Sequence, residues 1–258
     1  MIRVQYEGRL GNKMIQYAAA HLFACHTGIK LNPNSARLDF IKRFNISPPK
    51  GKIFKEFIDI NESNYFEYLN NPKKNVGYNI TGYYQTSEFL CNHRDFILDL
   101  YKCDAQLEHI RENDCFIHAR IGDLLNNLKR NMAYFQPDYL EQQLQATRNT
   151  YNTAYISSDT INYPPLVELI NKYGLTIYQN GPLDTILFAK NFNNLILSAG
   201  SFSYWMAYLS EATNITVYKN NRQDPLQKQN AWSHTKNVKF FRDIKSQCVN
   251  NTNYIGQK

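Results

Sequence analysis

The 258-residue chain has no run of 18 apolar residues, so no membrane-spanning helix is expected. Its opening, Met1 to Gly8, reads as a short strand rather than a signal peptide. A cytoplasmic location is therefore the expectation, and the positive net charge is compatible with peripheral attachment to a membrane. Cysteine is scarce and odd in number: Cys25, Cys91, Cys103, Cys115 and Cys248, widely spaced. That pattern fits a reducing compartment best. Cys25 and Cys115 lie inside apolar patterns and are expected in the core. No close Cys/His grouping has the spacing of a zinc site, and no metal ligands are assigned. The net charge of +7 is not gathered into an arm or tail. Residues 1–105 hold 14 basic and 10 acidic side chains, and residues 106–258 hold 15 and 12. Without an arginine-rich arm or zinc-finger spacing, nucleic acid is not an expected partner. There is no internal repeat, and the only compositional bias is 31 asparagines. Asn45 and Asn79 open Asn-x-Ser/Thr triplets, which without a leader read as accidents of that bias.

What is present is alternation of strands and helices. Ile2 to Tyr6 reads as a strand, Gly8 to Gly11 as a tight turn, and Asn12 to Cys25 as a helix closed by Thr27-Gly28. Ile29 to Leu31 is a second short strand. Residues 32–55, basic and rich in proline, read as a surface excursion. Ser63 to Leu69 reads as a short helix and Val76 to Thr81 as a strand. Ser87 to Leu100 reads as one helix with a Thr86/Ser87 cap. Further on, strands at about 114–119, 151–157, 175–178, 195–198 and 215–218 alternate with helices at about 137–149, 163–173, 183–190 and 202–211. Pro137, Pro164 and Pro165 suit first helical turns, and Gly174 suits a helix end. Such alternation means parallel sheets. The expected architecture is α/β, with two Rossmann-like domains, 1–105 and 106–258, facing across a cleft.

Four segments carry chemistry. In Gly8-Arg9-Leu10-Gly11-Asn12, glycines let a ligand approach the backbone, and the helix start offers N–H groups to an anion. The full three-glycine dinucleotide pattern is missing. A plain turn with Asn12 as helix cap is the alternative. In Cys115-Phe116-Ile117-His118-Ala119-Arg120-Ile121-Gly122-Asp123, an apolar strand ends in a basic pair, where open α/β sheets bind ligands. Arg120 offers a rigid fork of donors suited to phosphate. An Arg120–Asp123 ion pair is the structural alternative. Ser157-Ser158-Asp159 ends the next strand, where it suits a base or ribose, or simply a turn. Ser198 to Ser203 leads from a strand into a helix, with hydroxyls and N–H groups for a diphosphate. Trp205 is expected in the core. Together these segments suggest an enzyme handling a sugar nucleotide.

In this order the pieces resemble the alpha-1,2-fucosyltransferases of glycosyltransferase family 11. They resemble more distantly the protein O-fucosyltransferases, alpha-1,6-fucosyltransferases and nodulation fucosyltransferases. Gly8-Arg9-Leu10-Gly11-Asn12-Lys13-Met14-Ile15-Gln16-Tyr17 is similar to the family's opening stretch. Leu38-Asp39-Phe40 with Arg43-Phe44-Asn45-Ile46, and Gly82-Tyr83-Tyr84-Gln85, are similar to its next landmarks. His118 to Asp123 is similar to its His-x-Arg-Arg-x-Asp motif, with Ile121 at the second arginine. Ser201-Phe202-Ser203-Tyr204-Trp205 is similar to its Ser-Phe-Ser-Trp-Trp segment, with Tyr204 at the first tryptophan.

The resemblance implies a GT-B-like fold and inverting transfer of L-fucose from GDP-beta-L-fucose to a glycan acceptor, with alpha-1,2 linkage to galactose expected. It implies no metal and no other cofactor. Residues 1–105 would be the acceptor side, and residues 106–258 would bind the nucleotide sugar. Arg120 would grip the diphosphate, His118 and Asp159 the guanine or ribose, and Ser201 and Ser203 the phosphates. Gly11, Ser158 and Phe202 complete the expected binding set. Asn12 would lie near the reacting centre. An acceptor base is needed; Asp123, Asp39 and Glu7 are the candidates, and Asp123 is expected in a positioning role that includes orienting Arg120. A transferase using another nucleotide sugar, or an inactive nucleotide- or glycan-binding homologue, is the alternative.

Overall fold

The computed structural model describes residues 1–33, 38–103, 110–122, 137–147 and 150–217. The chain divides into two compact units, Met1–Ala105 and Gln106–Lys258. Among the described residues no helix is long and apolar enough to cross a membrane.

The first unit contains, in order, β1 (Ile2–Val4), α1 (Leu10–Thr27), β2 (Leu31–Asn32), α2 (Asp39–Arg43), β3 (Phe57–Ile60), α3 (Tyr65–Asn70), β4 (Gly77–Ile80), α4 (Ser87–Asn92) and α5 (Arg94–Leu100). The strands form a sheet of order β2-β1-β4-β3, paired in parallel throughout. Met14, Ile15, Ala18, Ala19 and Phe23 of α1 are buried. The helix ends where Gly28 turns left-handed at φ 65° and donates its N–H to Ala24 O, a conformation glycine adopts without strain.

Four expectations need correction here. Cys25 is exposed, because one residue beyond buried Ala24 the helix surface has turned to solvent. The 32–55 excursion is anchored: Phe40 and Phe44 are buried, with Phe40 packing edge-on to Tyr17 and both rings meeting Tyr101. β3 was not anticipated, since four residues on a sheet edge with Asp59 among them give little periodicity. The single helix over 87–100 is two, broken at His93, whose ring stacks on Phe66. The expected cap of the first is present, with Thr86 Oγ1 accepting from Phe89 N at 3.1 Å.

The second unit contains β5 (Arg111–Ala119), α6 (Pro137–Ala146), β6 (Ala154–Ser158), α7 (Pro164–Tyr173), β7 (Thr176–Ile177), α8 (Pro182–Ala189), β8 (Phe192–Leu197), α9 (Ser201–Tyr208) and β9 (Asn214–Val217). Three helices open on proline, and Gly174 closes α7 at φ 62°. The all-parallel sheet runs β7-β6-β5-β8-β9. From Cys115 onward, central β5 is buried on both faces. Cys115, Ile117, Ala119 and Ile121 join Leu140, Leu144, Leu166 and Leu169 from α6 and α7 on one side. Phe116, one residue out of step, packs among Tyr178, Phe188 and Phe192 on the other. Trp205 is fully buried.

This order positions the site. From β5 the chain proceeds through β6 to β7 on one side. From β8 it proceeds to β9 on the other. The connections therefore diverge between β5 and β8, and it is at the carboxyl ends of strands at such a switch point that open α/β sheets bind ligands.

Candidate active site

His118 and Arg120 stand at the carboxyl end of β5, and Ser198 to Ser201 at that of β8. The two ends are stitched together. Ser198 N donates to His118 O at 3.0 Å, and Arg120 N donates to Ser198 Oγ at 3.1 Å. Gly200 is the N-cap of α9, with φ 107° and ψ 162°. That backbone region is essentially open to glycine alone. A Cβ on Gly200 would lie 2.5 Å from Arg120 Nη1. The guanidinium therefore rests directly on the start of α9, where first-turn N–H groups and the helix dipole already favour an anion.

His118 is nearly fully buried. Its Nδ1 lies 2.6 Å from Ser203 Oγ and 3.2 Å from Ser198 Oγ, and the Phe202 ring lies 5.0 Å from the imidazole. Burial pushes the His118 pKa down to about 4; nearby Asp159 opposes the shift and Arg120 adds to it. The imidazole is thus neutral at ordinary pH.

Several expected site residues take other places. Ser203 faces inward: it is fully buried with its hydroxyl against His118. Asp159 Oδ1 accepts from Ile121 N at 2.7 Å and from Gly122 N at 2.8 Å, so this oxygen shapes the loop after β5. A Cβ on Gly122 would come within 2.5 Å of Asp159 Oδ2, which accounts for glycine there. Ser158 Oγ accepts from Thr160 N at 3.1 Å, the turn reading of that segment. Ser201 is half-buried at the first position of α9. Ile121, two residues past β5, is 2% exposed and joins the same core cluster, so the position that carries a second arginine in the resembling motif is apolar packing here. Asp123 lies outside the described residues.

In the first unit, Asn12 does not cap α1. The N-cap is Arg9, and Asn12 sits one turn inside, its Oδ1 accepting from Gln85 Nε2 at 2.7 Å. A Cβ on Gly8 (φ 74°) would be 2.1 Å from Asn12 Nδ2, so the amide packs on bare backbone. Gly11 is buried in the first turn of α1. Sequence reasoning missed two clamps. Buried Gln16 accepts from Glu7 N at 3.1 Å and donates to Gly82 O at 3.0 Å, joining the loops after β1 and β4. Glu62 Oε1 accepts from Tyr83 N and Tyr84 N, holding Tyr84 at φ 54°. One signal was available for the first clamp: glutamine on the apolar face of a helix must find buried partners. Glu7 and Asp39 are exposed, Asp39 as an acidic residue in the first turn of α2, where the helix dipole favours it.

The family model described as Glycosyl transferase family 11 matches residues 1–237. The chain belongs to glycosyl transferase family 11. This family 11 chain is 23% identical over 274 aligned positions to the O-antigen biosynthesis glycosyltransferase WbnK of Escherichia coli, covering 79% of this chain and 88% of that protein. Among solved structures it is similar to NodZ alpha-1,6-fucosyltransferase soaked with GDP-fucose, with a TM-score of 0.49 and 11% identity over 84% of this chain and 94% of that one. As a family member the chain is a glycosyltransferase.

Burial of neutral histidine gives this glycosyltransferase a defined acid sensitivity. His118 and His21 are both pushed down to about 4, each chiefly by burial. An unfolded histidine titrates near 6.5, so as pH falls below that value the unfolded chain takes up protons first. Stability is complete above about pH 6.5 and erodes towards pH 4, by roughly 3 kcal/mol for each such histidine. Urea midpoints should fall steadily between pH 7 and pH 4.5, less steeply in H118Q. A midpoint constant over that range would mean that neither ring is held neutral.

Proposed function

We propose that this chain transfers L-fucose from GDP-beta-L-fucose to a glycan hydroxyl with inversion, forming an alpha-1,2 linkage to galactose. The acceptor hydroxyl attacks the sugar C1 as the C1–O bond to the diphosphate breaks. The leaving GDP takes the bonding electrons, and the acceptor proton passes to a base, for which Asp123, Asp39 and Glu7 are the candidates. The observation that carries this reading is the Arg120 guanidinium lying on Gly200 at the N-terminus of α9, at the switch point between β5 and β8. A fixed cation and helix N–H groups there stabilise negative charge on a departing diphosphate. Residues 106–258 are then the nucleotide-sugar unit and residues 1–105 the acceptor side. The O-antigen role in the name of the Escherichia coli relative favours a polysaccharide acceptor. The net charge of +7 favours peripheral attachment to an anionic membrane surface.

A donor screen tests the reading. Purified protein is given GDP-fucose, GDP-mannose and UDP-linked sugars with galactose-terminated acceptors, and released nucleoside diphosphate is measured. GDP-fucose should give the highest turnover. Preference for another donor would replace fucose as the transferred sugar, a reading that Ile121 in place of the second arginine favours. Binding of GDP without turnover of any donor would make the chain an inactive homologue.

No divalent ion is invoked, because Arg120 supplies the positive charge at the leaving group. Among the described residues no group of three His, Cys, Asp or Glu side chains is arranged to hold a metal. Turnover should therefore persist in excess EDTA. Complete loss, restored by magnesium or manganese, would overturn metal independence.

A further inference from the structure

Three buried groups meet at His118, and counting their hydrogens assigns their roles. Ser198 Oγ, Ser203 Oγ and His118 Nδ1 form a triangle with sides of 2.6, 3.2 and 3.2 Å. The direction of one neighbouring bond is fixed: Arg120 N–H donates to Ser198 Oγ. Each serine has a single hydroxyl hydrogen to place. If Nδ1 carries a proton, it donates to Ser203, and one of the two serine hydrogens has no acceptor among the described residues. That is a costly orphan in so buried a site. If Nδ1 carries a lone pair, every hydrogen within the triangle is satisfied, and the ring's own hydrogen sits on Nε2, away from both serines. Arg120 N–H donates to Ser198 Oγ, Ser198 O–H to Ser203 Oγ, and Ser203 O–H to Nδ1 across the shortest side of the triangle.

We infer that Ser203 and Ser198 are positioning residues that lock His118 as the neutral Nε2–H tautomer, so that Nε2–H acts as a hydrogen-bond donor to a diphosphate oxygen. The inference rests on the nucleotide-sugar reading only in its last clause; the tautomer follows from the protein alone. It gives the Arg120 main chain and the His118 ring a common support. The residue that delivers the guanidinium also anchors the chain of hydroxyls that orients the imidazole. It also explains why Ser203 faces inward from the first turn of a helix that would bind phosphate. The lowered His118 pKa agrees, since an imidazolium would put a second proton on Nδ1 and break the chain of donors.

Imidazole 1H–15N correlation spectra of the uniformly 15N-labelled chain test this, with H118Q identifying the signals. Wild-type His118 should show a protonated Nε2 and an unprotonated Nδ1 from pH 8 down to pH 5. A protonated Nδ1, or an imidazolium pattern in that range, overturns the inference. Adding GDP should move the Nε2–H proton downfield. If calorimetry shows GDP bound while that proton does not move, the donor role falls. If GDP does not bind at all, the nucleotide reading falls, and the tautomer stands or falls on the spectrum of the free protein. In S198A/S203A, with both hydroxyls gone, the single-tautomer pattern should disappear and the GDP dissociation constant should rise roughly tenfold, as expected on loosening one hydrogen bond to a charged group. S198A alone should keep the pattern, because Ser203 still reaches Nδ1. If the double variant does not fold, the wild-type and S198A spectra decide.

Discussion

Replacing Arg120 with alanine should lower turnover roughly 100-fold or more while leaving the fold intact. The side chain is only partly buried at the end of β5, and the main-chain bond from Arg120 N to Ser198 Oγ survives the change. Circular dichroism and the melting temperature should therefore barely move. R120K should recover part of the loss. It restores a charge but not the planar fork that meets two phosphate oxygens at once. Near-normal turnover in R120A would remove the leaving-group role and with it the main support for the proposed chemistry.

Gly200→Ala should be nearly as damaging, for a different reason. At φ 107° and ψ 162° an L side chain costs on the order of 1–3 kcal/mol in backbone strain. The new Cβ would also sit 2.5 Å from Arg120 Nη1, so the guanidinium must move. Displacing a catalytic cation by about 1 Å is enough for roughly a 100-fold loss. The two sites touch, so their effects should not add. In an R120A background, G200A should lower the melting temperature through strain but take away little further activity. Turnover losses that multiply fully in the double variant would show that Gly200 acts independently of Arg120.

Legibility in the sequence followed the range of the interaction. Pro137, Pro164 and Gly174 act within a turn of themselves, and the helix edges they mark lie where the pattern put them, within a residue or two. The apolar run before His118 and the hydroxyls after Leu197 likewise marked two strand ends. The strand order that makes those ends neighbours is a property of the whole sheet. The Gln16 clamp joins positions 66 residues apart in sequence, and nothing local to Gln16 names Gly82 as its partner. The inward turn of Ser203 and the backbone role of Asp159 were hidden for the same reason. A serine or aspartate at a strand–helix junction reads alike whether its oxygen faces a ligand or the main chain. The break at His93 contains neither glycine nor proline, and its stacking partner Phe66 lies in another helix.

The parallel pairing of β5 with β8 also has a kinetic meaning. The bonds that join His118 and Arg120 to Ser203 and Ser198 link residues 85 and 78 positions apart. Closing loops of that length is slow, and contacts of such high sequence separation form late. During synthesis β5 emerges long before β8, so a nascent chain carries the basic pair with nothing to hold it. Activity should therefore appear abruptly during refolding, after most secondary structure is in place.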